Sequence, residues 1–195
     1  AVESDALYMK GLSQRLARRL PDAASTLQQA AEKFALPADA QQPNEAALAA
    51  GQNAFRSAKE AARVYQQLQQ TDAADAAYQL AWDQLQRQPA ERREGLGSLI
   101  YEWALMHYNA QNTARADELF TRFIETDPQS EWADDARLLL AESRYFEKQY
   151  EAAREAFRSL SQDEATDEFV RERSLLFLMT IATHLEDWKD LQVTG

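Results

Sequence analysis

The chain has 195 residues, 45% of them hydrophobic and 27% charged, which is enough for a sizeable core and fits one domain or two. Its net charge of -11 argues against duplex nucleic acid or an anionic lipid surface as the main partner, because phosphates reward clustered Lys and Arg. The absence of cysteine excludes a disulfide framework and thiolate metal sites, and no apolar run approaches the roughly 18 residues of a membrane span, so direct membrane insertion is not expected.

From the start, the spacing predicts a helix over Asp5 to Arg18 with Leu7, Gly11, Leu12 and Leu16 inward. A second follows over Pro21 to Phe34 with Ala23, Ala24, Leu27, Ala30 and Ala31 inward. Residues 36 to 44, with two prolines, form a loop. Next comes a long helical stretch, Glu45 to Gln70, then another, Asp72 to Arg87, with Thr71 and Asp72 as cap candidates. Two registers are open here: Ala74 and Tyr78 carry the second helix of a pair, or Ala61 and Tyr65 do. In either case one helix is longer than its counterparts. After the charged linker around Pro89 and its glycines, the stretch from Ser98 to Pro128 holds Ile100, Trp103, Ala104 and Tyr108, then Ala116, Leu119, Phe120 and Phe123. Trp132 to Leu160 repeats that arrangement, with Leu138, Leu139, Leu140, Ala141 and Tyr145 on one helix and Ala153, Ala156, Phe157 and Leu160 on the next; Ser130 is its cap candidate. The last part, Val170 to Leu185 and Trp188 onward, carries Leu175, Leu178 and Met179 as its stripe. The prolines all fall at helix starts or ends, and no window alternates like a half-buried strand, so the chain is expected to be all-α.

Ala116 lies 37 residues before its counterpart Ala153. Helix pairs this short cannot bury their stripes alone, so neighbouring copies must stack. The intervals Ile100-x2-Trp103-Ala104-x2-His107, Ala116-x3-Phe120 and Pro128 resemble the tetratricopeptide repeat, with Ala104 in the place of its glycine. Leu140-Ala141 and Ala153-x3-Phe157 match again, with Arg137 and Arg144 standing where the two aromatics belong. Gly11 and Ala23-x3-Leu27 sit at the same intervals. The resemblance implies a right-handed superhelix of antiparallel helix pairs, an α-solenoid with approximate units 4–36, 45–88, 97–130, 132–162 and a truncated 169–195. Since the sequence starts at Ala1 and its last residues read as the start of a new helix, it is expected to be a fragment of a longer protein. The opening Ser130-x-x-Ala133-Asp134-Asp135-Ala136 looks most like the repeats of bacterial envelope proteins, which would imply a periplasmic setting.

Nothing in the sequence carries catalysis or a cofactor. His107 and His184 lie on different repeats, and His107 stands at a core position with no carboxylate or second histidine at i+3 or i+4; there is no Gly-rich phosphate loop, no G-x-S-x-G and no cysteine nucleophile. Acidic pairs such as Asp134-Asp135 point about 100 degrees apart on a helix and belong to a solvated face. Function is therefore expected from binding a protein or peptide along the wall of first helices, by a non-catalytic scaffold. The residues expected on that wall are Asp5, Tyr8 and Arg15; Arg56, Lys59 and Arg63; Tyr101, Leu105 and Tyr108; Leu138, Glu142 and Tyr145; and Arg173. The basic cluster Arg56, Lys59 and Arg63 has two readings, pairing with Glu60 and neighbouring acidic helices or anchoring a partner's carboxylates. The tyrosines likewise belong to the core or to an interface. Other readings are the regulatory arm of a larger enzyme or sensor, and an extended ligand such as a sugar chain along Tyr101, Tyr108 and Tyr145. A carboxylate clamp of Lys and Asn, as in chaperone-tail-binding relatives, is not supported, since Leu12 stands where its first Asn would be.

Overall fold

The computed structural model describes residues 2–38 and 43–184. Within them the chain forms nine α-helices and no strand: α1 (Val2–Leu16), α2 (Leu20–Lys33), α3 (Glu45–Gln67), α4 (Thr71–Gln86), α5 (Leu96–Asn109), α6 (Thr113–Thr126), α7 (Ala133–Phe146), α8 (Tyr150–Gln162) and α9 (Glu168–His184). A short 3-10 turn, Ala90–Arg92, precedes α5. The α3/α4 pair selects the register in which Ala74 and Tyr78 carry the second helix, and α3, at 23 residues, is the long one. Leu185, the expected end of the last unit's first helix, and the expected second helix from Trp188 onward lie outside the described residues.

The chain divides into two compact units, 1–110 and 111–195. In the first, α1 packs on α2, α2 on α3, α3 on α4 and α4 on α5. Its interfaces are built from small residues: Ala23, Ala30, Ala31, Ala54, Ala58, Ala61, Ala62, Ala74, Ala77 and Ala81 are all but fully buried, so the backbones approach closely and large side chains such as Leu27, Tyr78 and Trp103 fill what remains. Gly11 shows how tight this is, because a Cβ there would lie 2.5 Å from Leu27 Cγ. In the second unit α6, α7, α8 and α9 pack in succession around Leu138, Ala141, Ala153, Phe157, Leu160, Val170, Leu178 and Ile181.

Two expected core residues point outward. Leu16 is 82% exposed, because it ends α1 as the chain leaves the face that meets α2; Met179 lies on the outer side of α9, where Val170, Leu178, Ile181 and Ala182 supply the buried stripe instead. The expected caps also shift. Thr71 is already helical and α4 follows Gln70, while α7 follows Trp132, with Ser130 Oγ accepting the Trp132 N–H at 3.4 Å. Asn44 is a true N-cap, its side chain accepting from the Ala47 N–H at 2.9 Å.

The turns after α1, α3, α5 and α7 share one backbone conformation. Arg18, Gln69, Gln111 and Lys148 all adopt a left-handed backbone with φ between 57° and 64°. In three of these turns the next N–H reaches back five residues, Arg19 to Gln14, Gln70 to Tyr65 and Gln149 to Arg144, each at 2.9 Å, which satisfies a carbonyl the helix end would leave bare. Left-handed backbone costs a non-glycine residue about 1 kcal/mol. Lys148→Gly is therefore expected to stabilise the chain by up to about 1 kcal/mol in urea titration, and Lys148→Val to destabilise it.

Candidate functional site

In the first unit α1, α3 and α5 carry a set of paired polar side chains. Helical spacing sets Arg56, Lys59, Glu60 and Arg63 along one side of α3, and α1 and α5 supply partners to Lys59, Glu60 and Arg63. Asn53 donates to Ser4 Oγ at 3.0 Å and to Asp5 Oδ1 at 2.6 Å, fixing the start of α1 against α3. Farther along, Arg15 and Arg63 both bond to the nearly buried carboxylate of Glu60. Arg63 then reaches across to α5 as a two-pronged fork, Nε to Glu102 Oε2 at 2.7 Å and Nη2 to Glu102 Oε1 at 2.6 Å. Lys59 joins at 3.0 Å from Glu102 and 2.8 Å from Ser98 Oγ. Sequence showed the cations, but Glu102, the acceptor on which two of them converge, was not singled out.

Burial and pairing compete in this cluster. Burial raises the Glu102 carboxyl, but hydrogen bonds from Arg63 and Lys59 outweigh it and hold the group below its usual range; burial pushes the Lys59 ammonium down. Tyr8 faces the same cluster, its phenol raised by burial and by Glu60 despite Arg56, Arg63 and Arg15 nearby. Four cations stand around two carboxylates, and Arg56 is the exposed one among them.

Beyond Arg63, where α3 and α5 end and α4 begins, the wall opens into a hollow of about 650 Å³ bordered by Arg63, Gln66, Tyr78, Glu102, Leu105 and Met106. The Tyr78 ring is fully buried, and its hydroxyl forms no hydrogen bond although Gln66 lies beside it; burial raises this phenol strongly. On the α4 side of α5, Asp75 Oδ1 receives both Trp103 Nε1 and His107 Nε2 at 2.7 Å, and the Trp103 ring stacks on Tyr78 at 6.2 Å. His107 is thus the packed histidine expected, 5% exposed, but its carboxylate comes from another helix. Two N–H donors four residues apart on one face of α5 signalled the need for an acceptor without saying which residue supplies it.

The remaining expected wall residues are placed as follows. Tyr101 is buried on α5 and Tyr108 half-buried. In the second unit Glu142, 3% exposed, is bonded by Arg173, whose guanidinium lies 5.7 Å from the Phe177 ring. Tyr145 packs among Phe146, Tyr150 and Phe177 with centroids 5.2 to 5.6 Å apart, which is a core setting at the edge of the unit. Among the described residues no group of acidic, His or Cys side chains could hold a metal ion, and no helix is long and apolar enough to cross a membrane.

Helix hairpins stacked in succession, with paired polar groups on the first-helix side, define an all-α fold of the tetratricopeptide-like solenoid class. The tetratricopeptide-repeat family model matches residues 5–36, 98–130 and 135–164, and the chain is a tetratricopeptide-repeat protein. Two solved structures share the fold: BtubC (BKLC) from P. vanneervenii, at a TM-score of 0.63 and 13% identity over 97% of this chain and 76% of that one, and a putative kinesin light chain with TPR-like repeats from Podosopora anserina, at 0.62 and 14% over 97% and 90%. No curated protein matches the sequence. Repeats of this kind generally mediate protein–protein interaction, and the fold is typically a non-catalytic scaffold.

Asp75→Leu removes the shared acceptor from two buried donors and is expected to cost about 1–3 kcal/mol in urea unfolding, with Trp103 fluorescence as the probe. The depressed Glu102 carboxyl contributes stability that is fully present above the unfolded carboxylate value, about 4.3, and is lost as pH falls through its lower folded value. Glu102→Gln should therefore be less stable than wild type at pH 7 and lose less between about pH 5 and pH 2, measured by unfolding at each pH.

Proposed function

We propose that the α1–α3–α5 wall of the first unit binds an acidic, extended segment of a protein partner, without catalysis. The observation that carries this reading is the charge balance. Arg15, Arg56, Lys59 and Arg63 outnumber Asp5, Glu60 and Glu102 on this wall, in a chain whose net charge is -11. A folded protein this acidic has no electrostatic need to concentrate cations, and their internal carboxylates leave a surplus that a partner's carboxylates would neutralise. Tyr8, beside Arg15 and Arg56, adds a flat amphipathic surface of the kind that anchors peptides.

Tyr101 and Tyr108 support the same wall from α5. In the second unit Glu142, Tyr145 and Arg173 are proposed as a separate, smaller partner contact. Residues 45–88 and 169–195 are proposed as further repeat-like units beside the three matched stretches.

The test uses two fluorescein-labelled twelve-residue peptides, one rich in Glu and Asp and one rich in Lys, titrated into the full chain at low and high salt. The acidic peptide should bind, weaken as salt rises, and lose about tenfold in affinity to Arg56→Glu. Equal binding of both peptides, or an unchanged affinity for the variant, would remove the charge-based reading.

A further inference from the structure

We propose that the hollow at the ends of α3 and α5 is a pocket for a tyrosine side chain of the bound partner. The inference rests on the wall above being a binding surface, and it names a contact that the charge balance does not supply. At about 650 Å³ the hollow falls within the roughly 300–1,000 Å³ range of clefts that hold ligand groups.

Its chemistry selects the occupant. Arg63 commits three of its five N–H donors, Nε and Nη2 to Glu102 and Nη1 to Glu60, which holds the guanidinium in one plane while the side chain remains 37% exposed, so it can offer the flat face of that plane. That face suits an aromatic ring, which is held through its negative π surface and needs no hydrogen bond. The same pairing closes Arg63 and Glu102 on each other. A carboxylate or ammonium entering here would give up hydration for charges that are already compensated.

Leu105 and Met106 supply apolar contact for the ring's edge. The side-chain amides of Gln66 and Asn109 border the same space and can bond a hydroxyl at the ring's tip. A leucine would fill the apolar part but leave the guanidinium face and the amides unused. Tyrosine meets all three.

The probes are N-acetyl-tyrosinamide, N-acetyl-leucinamide and N-acetyl-glutamate amide, titrated into the full chain while methyl NMR follows Leu105 and Met106. The tyrosine probe should shift both methyls saturably and bind about fivefold tighter than the leucine probe. Arg63→Lys keeps the charge but loses the plane, and should abolish that preference; Leu105→Trp, which fills the hollow, should abolish binding. Circular dichroism and a thermal melt establish that each variant is folded. Equal binding of the leucine or glutamate probe, or an Arg63→Lys variant that keeps the preference, overturns the proposal. Arg56→Glu lies outside the hollow and should leave the tyrosine probe unaffected. Failure of the acidic peptide alone therefore removes the charge reading, and failure of the tyrosine probe alone removes the pocket.

Discussion

The structure depends on the close approach of helices at alanine. An α-hairpin of about thirty residues has too little interior to hide an apolar stripe, so each must lend its surface to the next. In the first unit that contact is made by Ala23, Ala30 and Ala31 of α2, Ala54, Ala58, Ala61 and Ala62 of α3, and Ala74, Ala77 and Ala81 of α4. Small side chains contribute little transfer free energy each, but they let backbones close to a distance at which a few large residues complete the packing. Gly11 against Leu27 is the extreme case, where even a methyl group has no room.

This arrangement dictates what the first helices do with their remaining face. Once α2 and α4 occupy one side of α3, the other side carries charges that approach α1 and α5 too closely to be left in bulk water. Glu60 is almost wholly covered, and so, in the second unit, is Glu142. A carboxylate in that position is tolerated only when donors surround it, and each has an arginine from a neighbouring first helix. Such pairs are weak sources of net stability, because desolvation consumes most of the Coulomb gain. Their effect is geometric: Arg63 is held by two carboxylates from two helices, so its guanidinium plane is fixed before any partner arrives.

Much of this was legible in the sequence, and the reason lies in periodicity. Burial on one helix face leaves an i, i+3, i+4 record, so Ala23 through Ala31, Ala116 through Phe123 and Ala153 through Leu160 could be placed inward residue by residue. The differences fall at helix ends and at one helix face. Leu16 fits the period but ends α1, Met179 lies on the outer side of α9 beside the buried Leu178, and Thr71 and Ser130 have cap chemistry but lie one or more residues from the observed boundaries. The left-handed residues Arg18, Gln69, Gln111 and Lys148 left no compositional trace, since none is Gly or Asn. Across-helix partners were also hidden. Glu102 and Asp75 are separated from their donors by 28 to 43 residues, and a one-dimensional pattern specifies that a donor is buried without specifying what meets it.

The same limit bears on how the wall divides its labour. The basic cluster visible in the sequence, Arg56, Lys59 and Arg63, and Arg15 beside it do different things in three dimensions. Lys59 is sunk against Ser98 and Glu102 and mainly joins α3 to α5; Arg15 joins α1 to Glu60. Arg63 ties both carboxylates and is held in one plane, whereas Arg56 remains turned to solvent. Long-range attraction of an acidic segment depends on the sum of these charges and is screened by salt, while short-range selection depends on which donors are still unspent. A partner would thus be drawn to the wall by all four residues but discriminated by two surfaces, the open charge of Arg56 and the occupied, planar Arg63 beside the hollow.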